Sequence, residues 1–97
     1  MKKSKAYQPE LIESLRNPKE AEEYLNVALE ENDPELFLLA LRNVTEAQGG
    51  VARLAEKTNL NRESLYRMLS ERGNPEFKSL DLLLHALGFR LAVTANR

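Results

Sequence analysis

The sequence has no cysteine, no tryptophan and a single histidine, with only four glycines and four prolines among 97 residues. Without cysteine there is no disulfide framework, which argues against a small secreted miniprotein. One histidine and no cysteine cannot supply a zinc finger's ligand set. No apolar run approaches the roughly 20 residues needed to span a bilayer. The opening Met1-Lys2-Lys3-Ser4-Lys5 is basic, but polar residues follow it where a signal peptide would have an apolar segment. It reads as a solvated tail on a soluble, cytoplasmic protein. No glycine-rich phosphate loop, no pair of catalytic carboxylates and no metal-ligand cluster appears. Neither an enzyme, a cofactor, a metal nor a membrane partner is therefore expected.

Apolar residues make up 42% of the chain, enough for one core. A domain of this length is only marginally stable by itself, so dimerisation is a plausible support. The net charge of −1 hides an asymmetry. Residues 1–35 hold five Lys/Arg against nine Asp/Glu, whereas residues 36–97 hold nine against six. The front is acidic and the rear mildly basic, a balance that permits a nucleic-acid role for the rear without establishing it.

Helix signals follow in order. A short helix over about Pro9 to Arg16 is the weakest. Asn17-Pro18-Lys19-Glu20 is a clear start, with Asn17 as cap, Pro18 in the first turn and Glu20 placed to reach back. Ala21, Tyr24, Leu25, Ala28 and Leu29 then form an apolar stripe, with Glu22, Glu23, Glu30 and Glu31 mainly off it. Asp33-Pro34 begins a second, central helix whose inner face is Phe37, Ala40, Leu41, Val44 and Ala47, broadened by Leu36, Leu38 and Leu39. Gly49-Gly50 stops it, because glycine enters the left-handed conformation without a side-chain clash.

From Val51 the pattern is compressed. Val51, Leu54 and Ala55 fit about two helical turns ending near Thr58-Asn59, with Asn59 in the left-handed turn, Leu60 tucked in and Asn61 capping the next helix. That helix turns Leu65, Met68 and Leu69 inward and ends at Arg72-Gly73-Asn74-Pro75. A further helix follows Phe77, capped at Ser79, with Leu80, Leu83, Leu84 and Leu87 inside and Gly88 at its end. Phe89, Leu91 and Val93 alternate with Arg90, Ala92 and Thr94, as in a half-buried strand. A lone strand cannot satisfy its own backbone groups, so it needs a partner within the chain or from a second copy.

Two short helices joined by a tight turn form the helix-turn-helix arrangement, in which the second helix enters the major groove. Ala55 permits close approach of the two helices, and Leu54, Leu60, Leu65 and Met68 set their angle. Arg62, Glu63, Ser64 and Arg67 are either a solvated face or the base-reading surface. Arginine suits guanine through a bidentate contact, and Ser64 suits several bases. Glu63 either caps the helix, orients Arg67 or meets cytosine. Tyr66 sits either at the core's edge or against a phosphate. Arg53, Arg72, Asn74 and Lys78 flank the pair as phosphate-contact candidates, and Asn61 stands at the entry to the reading helix. Asp81 and His85, one turn apart, read as a helix-surface pair. Ser64 with His85 has none of the further spacing a nucleophilic site requires.

The segments Tyr24-Leu25-Asn26-Val27-Ala28-Leu29 and Asp33-Pro34-Glu35-Leu36-Phe37 resemble the front of the addiction-module antidote proteins. So do Leu54-Ala55, Asn61-Arg62-Glu63-Ser64-Leu65-Tyr66, Leu69-Ser70 and Gly73-Asn74-Pro75-Glu76-Phe77. Leu83-Leu84-His85-Ala86-Leu87-Gly88-Phe89-Arg90-Leu91 extends the resemblance, which covers nearly the whole chain from about Tyr7. It implies an all-α fold: a phage-repressor-like helix-turn-helix bundle with an N-terminal helical extension and a short C-terminal strand. Residues 1–33 would be the acidic extension and 34–97 the helix-turn-helix domain with its strand.

The resemblance also implies a transcriptional regulator that represses its own operon and neutralises a toxin of the RelE/ParE type, while the unpaired strand Phe89–Val93 and half-site recognition of double-stranded operator DNA lead to the expectation of a homodimer. A protein-interaction module that sequesters a basic partner without specific DNA binding is the alternative. Val51 departs from the pattern, since phage repressors often have glutamine there. Valine donates no side-chain hydrogen bond to phosphate, leaving backbone N–H groups at the helix start to replace it.

Overall fold

Short polar side chains mark three of the six helix starts. In the computed structural model, residues 2–96 are described, with side chains from residue 8 onward. The six helices are α1 (Lys2–Ser14), α2 (Pro18–Glu30), α3 (Pro34–Ala47), α4 (Gly50–Thr58), α5 (Arg62–Met68) and α6 (Phe77–Ala86). The side chains of the basic N-terminal segment lie outside the described residues.

The backbone of α1 is helical well before Pro9, earlier than the sequence indicated. It closes through Arg16 N–H to Glu13 O and Asn17 N–H to Ser14 O, both 3.2 Å. The second bond explains why Glu20 does not complete a capping box with Asn17: the Asn17 N–H already has a partner. The Asn17 side chain does cap α2, accepting from Lys19 N at 2.9 Å and Glu20 N at 3.2 Å. Asp33 does the same for α3, accepting from Glu35 N and Leu36 N. Such caps contribute about 1 kcal/mol each.

α3 is the centre of the bundle, with α1, α2 and α4 packed on it and α4 also meeting α5 and α6. Its inner face, Phe37, Leu38, Ala40, Leu41, Val44 and Ala47, is buried together with Leu15, Leu25, Leu54, Leu65, Leu69, Leu83 and Leu84. Burying one such leucine contributes about 1.5–3 kcal/mol. Leu29, placed by its spacing on the stripe of α2, is 45% exposed, and Leu36 and Leu39 are also exposed.

Polar side chains of α3 and of its C-cap, Gln48, tie its neighbours down. Asn43, buried, donates to Tyr24 Oη at 2.8 Å and accepts from Gln8 Nε2 at 3.0 Å, joining α1, α2 and α3. The Arg42 guanidinium donates to the Leu69 carbonyl at the end of α5. Gln48 Nε2 donates to the Leu87 carbonyl at the end of α6 at 2.9 Å.

Two expectations need correction. Helix α6 starts at Phe77 with Glu76 at its cap position, not at Ser79. The Glu76 carbonyl already accepts from Leu80 N–H at 2.9 Å, so the helix is under way two residues earlier. The C-terminal strand is absent: residues 89–96 carry no regular structure, and there is no strand among the described residues. Gly88, at φ 96°, closes α6 by donating to His85 O, and Phe89 N–H reaches Leu84 O at 2.8 Å. This reversal needs a left-handed residue, which glycine adopts without strain. Phe89 and Leu91 then lean on the core while Arg90 and Ala92 are exposed. At Phe89 and Leu91 the alternation therefore reflects burial on one side, which does not extend to the exposed Val93, and the backbone pairing that makes a strand has no second extended segment among the described residues to use.

Candidate nucleic-acid interface

The turn between α4 and α5 is held by its own side chains. Thr58 Oγ1 donates to Leu54 O at 2.8 Å and accepts from Leu60 N at 3.2 Å. Asn59 takes the left-handed conformation (φ 61°, ψ 21°), with its N–H bonded to Ala55 O at 2.9 Å. Leu60 is half-buried, and Asn61 caps α5 by accepting from Ser64 N at 2.8 Å. Asn61 thus spends its side-chain oxygen on the helix, leaving its amide N–H groups free to donate outward.

Leu65 and Leu69 anchor α5, with Met68 and Ser64 half-buried beside them. At about 100° per residue, Glu63 and Arg67 lie opposite Leu65, with Tyr66 and Arg62 together on one flank, and all four are exposed. Tyr66 is 61% exposed, which removes it from the core. Arg62 and Arg67 enter no ion pair among the described residues. At the far end, the Gly73 N–H bonds Ser70 O at 2.9 Å, and a Cβ on Gly73 would overlap the Met68 carbonyl. The chain must pass that close to leave α5 and reach α6. Arg72 and Asn74 lie in this connection and Lys78 in the first turn of α6, and all three are exposed.

Arg53 does not join them. It faces a separate open cleft of about 410 Å³ with Arg16, Lys57, Gln48 and Gly49, and no acidic residue lines that cleft. Arg16 reaches a carboxylate only at Glu13, 3.6 Å away, in a pair exposed on both sides and so weakly held. Arg16 and Lys57 were not among the residues singled out from the sequence. Lys57 was findable, because it follows Arg53 by four residues on one helix face. Arg16 gave no local signal, since only the packing of α1 brings it beside α4. His85 and Asp81 form the helix-surface pair expected of them, at 3.8 Å.

The described part of the chain is thus an all-helical bundle with exposed cationic side chains on α4 and α5 and an acidic helix, α2. The chain matches the family described as "Probable addiction module antidote protein" over residues 6–95, and it belongs to that family. It is similar to a protein of Haemophilus influenzae (strain ATCC 51907 / DSM 11121 / KW20 / Rd) of uncharacterized function. The two are 33% identical over 88 residues, 91% of this chain and 90% of that one. No solved structure matches it. None of its helices among the described residues is long and apolar enough to cross a membrane.

Proposed function

We propose that this antidote-family protein is a DNA-binding transcriptional regulator that represses its own operon and neutralises a RelE/ParE-type toxin. In this reading α4 and α5 act as a helix-turn-helix of the phage-repressor kind, with α5 in the major groove. The observation that carries it is the outward face of α5: two arginines without ion pairs beside an exposed tyrosine, on a helix whose entry is locked by Thr58, Asn59 and Asn61. Arg62 and Arg67 are the base readers, with Ser64 at their edge and Glu63 meeting cytosine. Tyr66, Arg72, Asn74 and Lys78 hold phosphates around them, and Arg53 acts with Lys57 and Arg16 on the adjoining backbone. Operator half-sites call for two reading helices, hence a homodimer, and no enzymatic step is involved.

The test is a binding titration of the chain with the DNA upstream of its own gene and with shuffled DNA of equal length. Tight, salt-sensitive binding to the first and at least tenfold weaker binding to the second is expected. Equal binding to both would remove the repressor reading. The acidic surface of α2 supports a second reading, an interaction module that takes a basic partner without specific DNA recognition. Toxin association by a chain that shows no sequence preference on DNA would establish it.

A further inference from the structure

A concavity of about 710 Å³ lies against α2, and no residue of α5 lines it. One wall carries Glu22 and Glu30, two turns apart on α2, and the other is the irregular segment after Gly88, which includes Arg90. Leu29, Phe89 and Leu91 line the apolar part between them. The distance from Glu22 to Glu30 along the helix is about 12 Å at 1.5 Å per residue, enough for two turns of a partner helix. Leu29 is half-exposed there.

We infer that this groove is the toxin-docking site, and that it takes an amphipathic helix of the partner. The apolar side chains of that helix would enter between Leu29 and Leu91, with Lys or Arg residues beside them meeting Glu22 and Glu30. The inference rests on the toxin-neutralising reading above and adds the place and chemistry of contact. Charge decides the occupant. Helix α2 carries four glutamates against one lysine, so a second copy docked here by two-fold symmetry would bring two acidic helices together, a repulsive arrangement. A basic helix is attracted by the same field. The acidic residues of α2 and of its C-cap are also divided by this geometry: Glu22 and Glu30 line the groove, whereas Glu23 and the capping Glu31 do not.

That division supplies the test, made on the full chain with two probes. The first is a labelled 14-residue synthetic peptide with leucines at helical spacing flanked by lysines. The second is a purified RelE/ParE-type toxin encoded beside the gene. The double variant E22Q/E30Q should weaken peptide and toxin about tenfold at low salt, with the gap narrowing as salt rises. E23Q/E31Q, with the same charge change outside the groove, should have less than a twofold effect. L29K should abolish capture, and a wild-type thermal melt would show that its fold is intact, as expected at a half-exposed site.

Equal effects of the two glutamine pairs would overturn the groove, because only diffuse steering would remain. Toxin bound tightly by E22Q/E30Q and L29K alike would also overturn it while leaving toxin neutralisation standing. Peptide capture that follows the variants, with no toxin association by the wild type, would instead remove the toxin-neutralising reading and with it the identity of the occupant. A concentration-dependent dimer abolished by L29K would overturn it in favour of a second copy.

Discussion

Helices α2 and α5 are built alike and face the solvent with opposite charge. Each begins at an asparagine whose side chain caps the backbone and buries leucine on one face. Yet α2 turns out four glutamates and one lysine, while the seven residues of α5 include two arginines and one glutamate. Capping and burial fix that a helix forms and which way it faces. They are indifferent to the charge of the outward side, which is free to be matched to a partner.

Substitution of the shared core should abolish this contrast by removing both faces at once. Leu41 and Leu65 are fully buried, and Leu65→Ala is expected to lose about 2–5 kcal/mol of stability, a large part of a small domain's total. Chemical denaturation reads it directly. A midpoint close to that of the wild type would mean that α5 is not held by the core. Arg67→Ala should act on one face only, weakening operator binding by about 1–3 kcal/mol and leaving toxin association intact. Binding isotherms with the operator and with a base-substituted operator would show whether the loss is specific.

Asn61→Ala should cost about 1 kcal/mol of stability and loosen the entry to α5, so its DNA affinity should fall more than that of Asn17→Ala, a cap loss of similar size on the other face. Equal DNA affinities for the two variants would mean that α5 entry geometry does not matter. The smallest expected effect is that of Arg16→Ala. It should lower the slope of log affinity against log salt by about one phosphate contact without altering sequence preference. An unchanged slope would leave the Arg16, Arg53 and Lys57 cleft outside the DNA footprint.

Much of this arrangement was legible in local sequence because local rules make it. Asn17, Asp33 and Asn61 announced their helices through the backbone N–H groups they satisfy, and Asn59 announced a left-handed turn. The inner face of α3 followed from spacing alone. What failed depended on the rest of the molecule. Phe89, Leu91 and Val93 have a strand's alternation, but a strand is defined by its neighbour, and none is present among the described residues; Val93 is 97% exposed. Leu29 fits the stripe of α2 yet lies at its margin, 45% exposed. The candidate reading face of α5 was visible because all its members belong to one helix. The cleft uniting Arg16 with Arg53 and Lys57 was not, because residues far apart in the chain meet only through the packing of α1 and α4 on α3.

The position of α3 also bears on how quickly the molecule assembles. Its main packing partners, α2 and α4, are its immediate neighbours in the chain, and α4 is followed at once by α5, which it also contacts. Most of the burial can therefore be gained by closing short loops, which places the protein among fast-folding helical domains with microsecond-to-millisecond refolding. Substitutions within α3 are then expected to slow refolding, and those in the segment after Gly88 to speed unfolding, because that segment docks onto a bundle already formed.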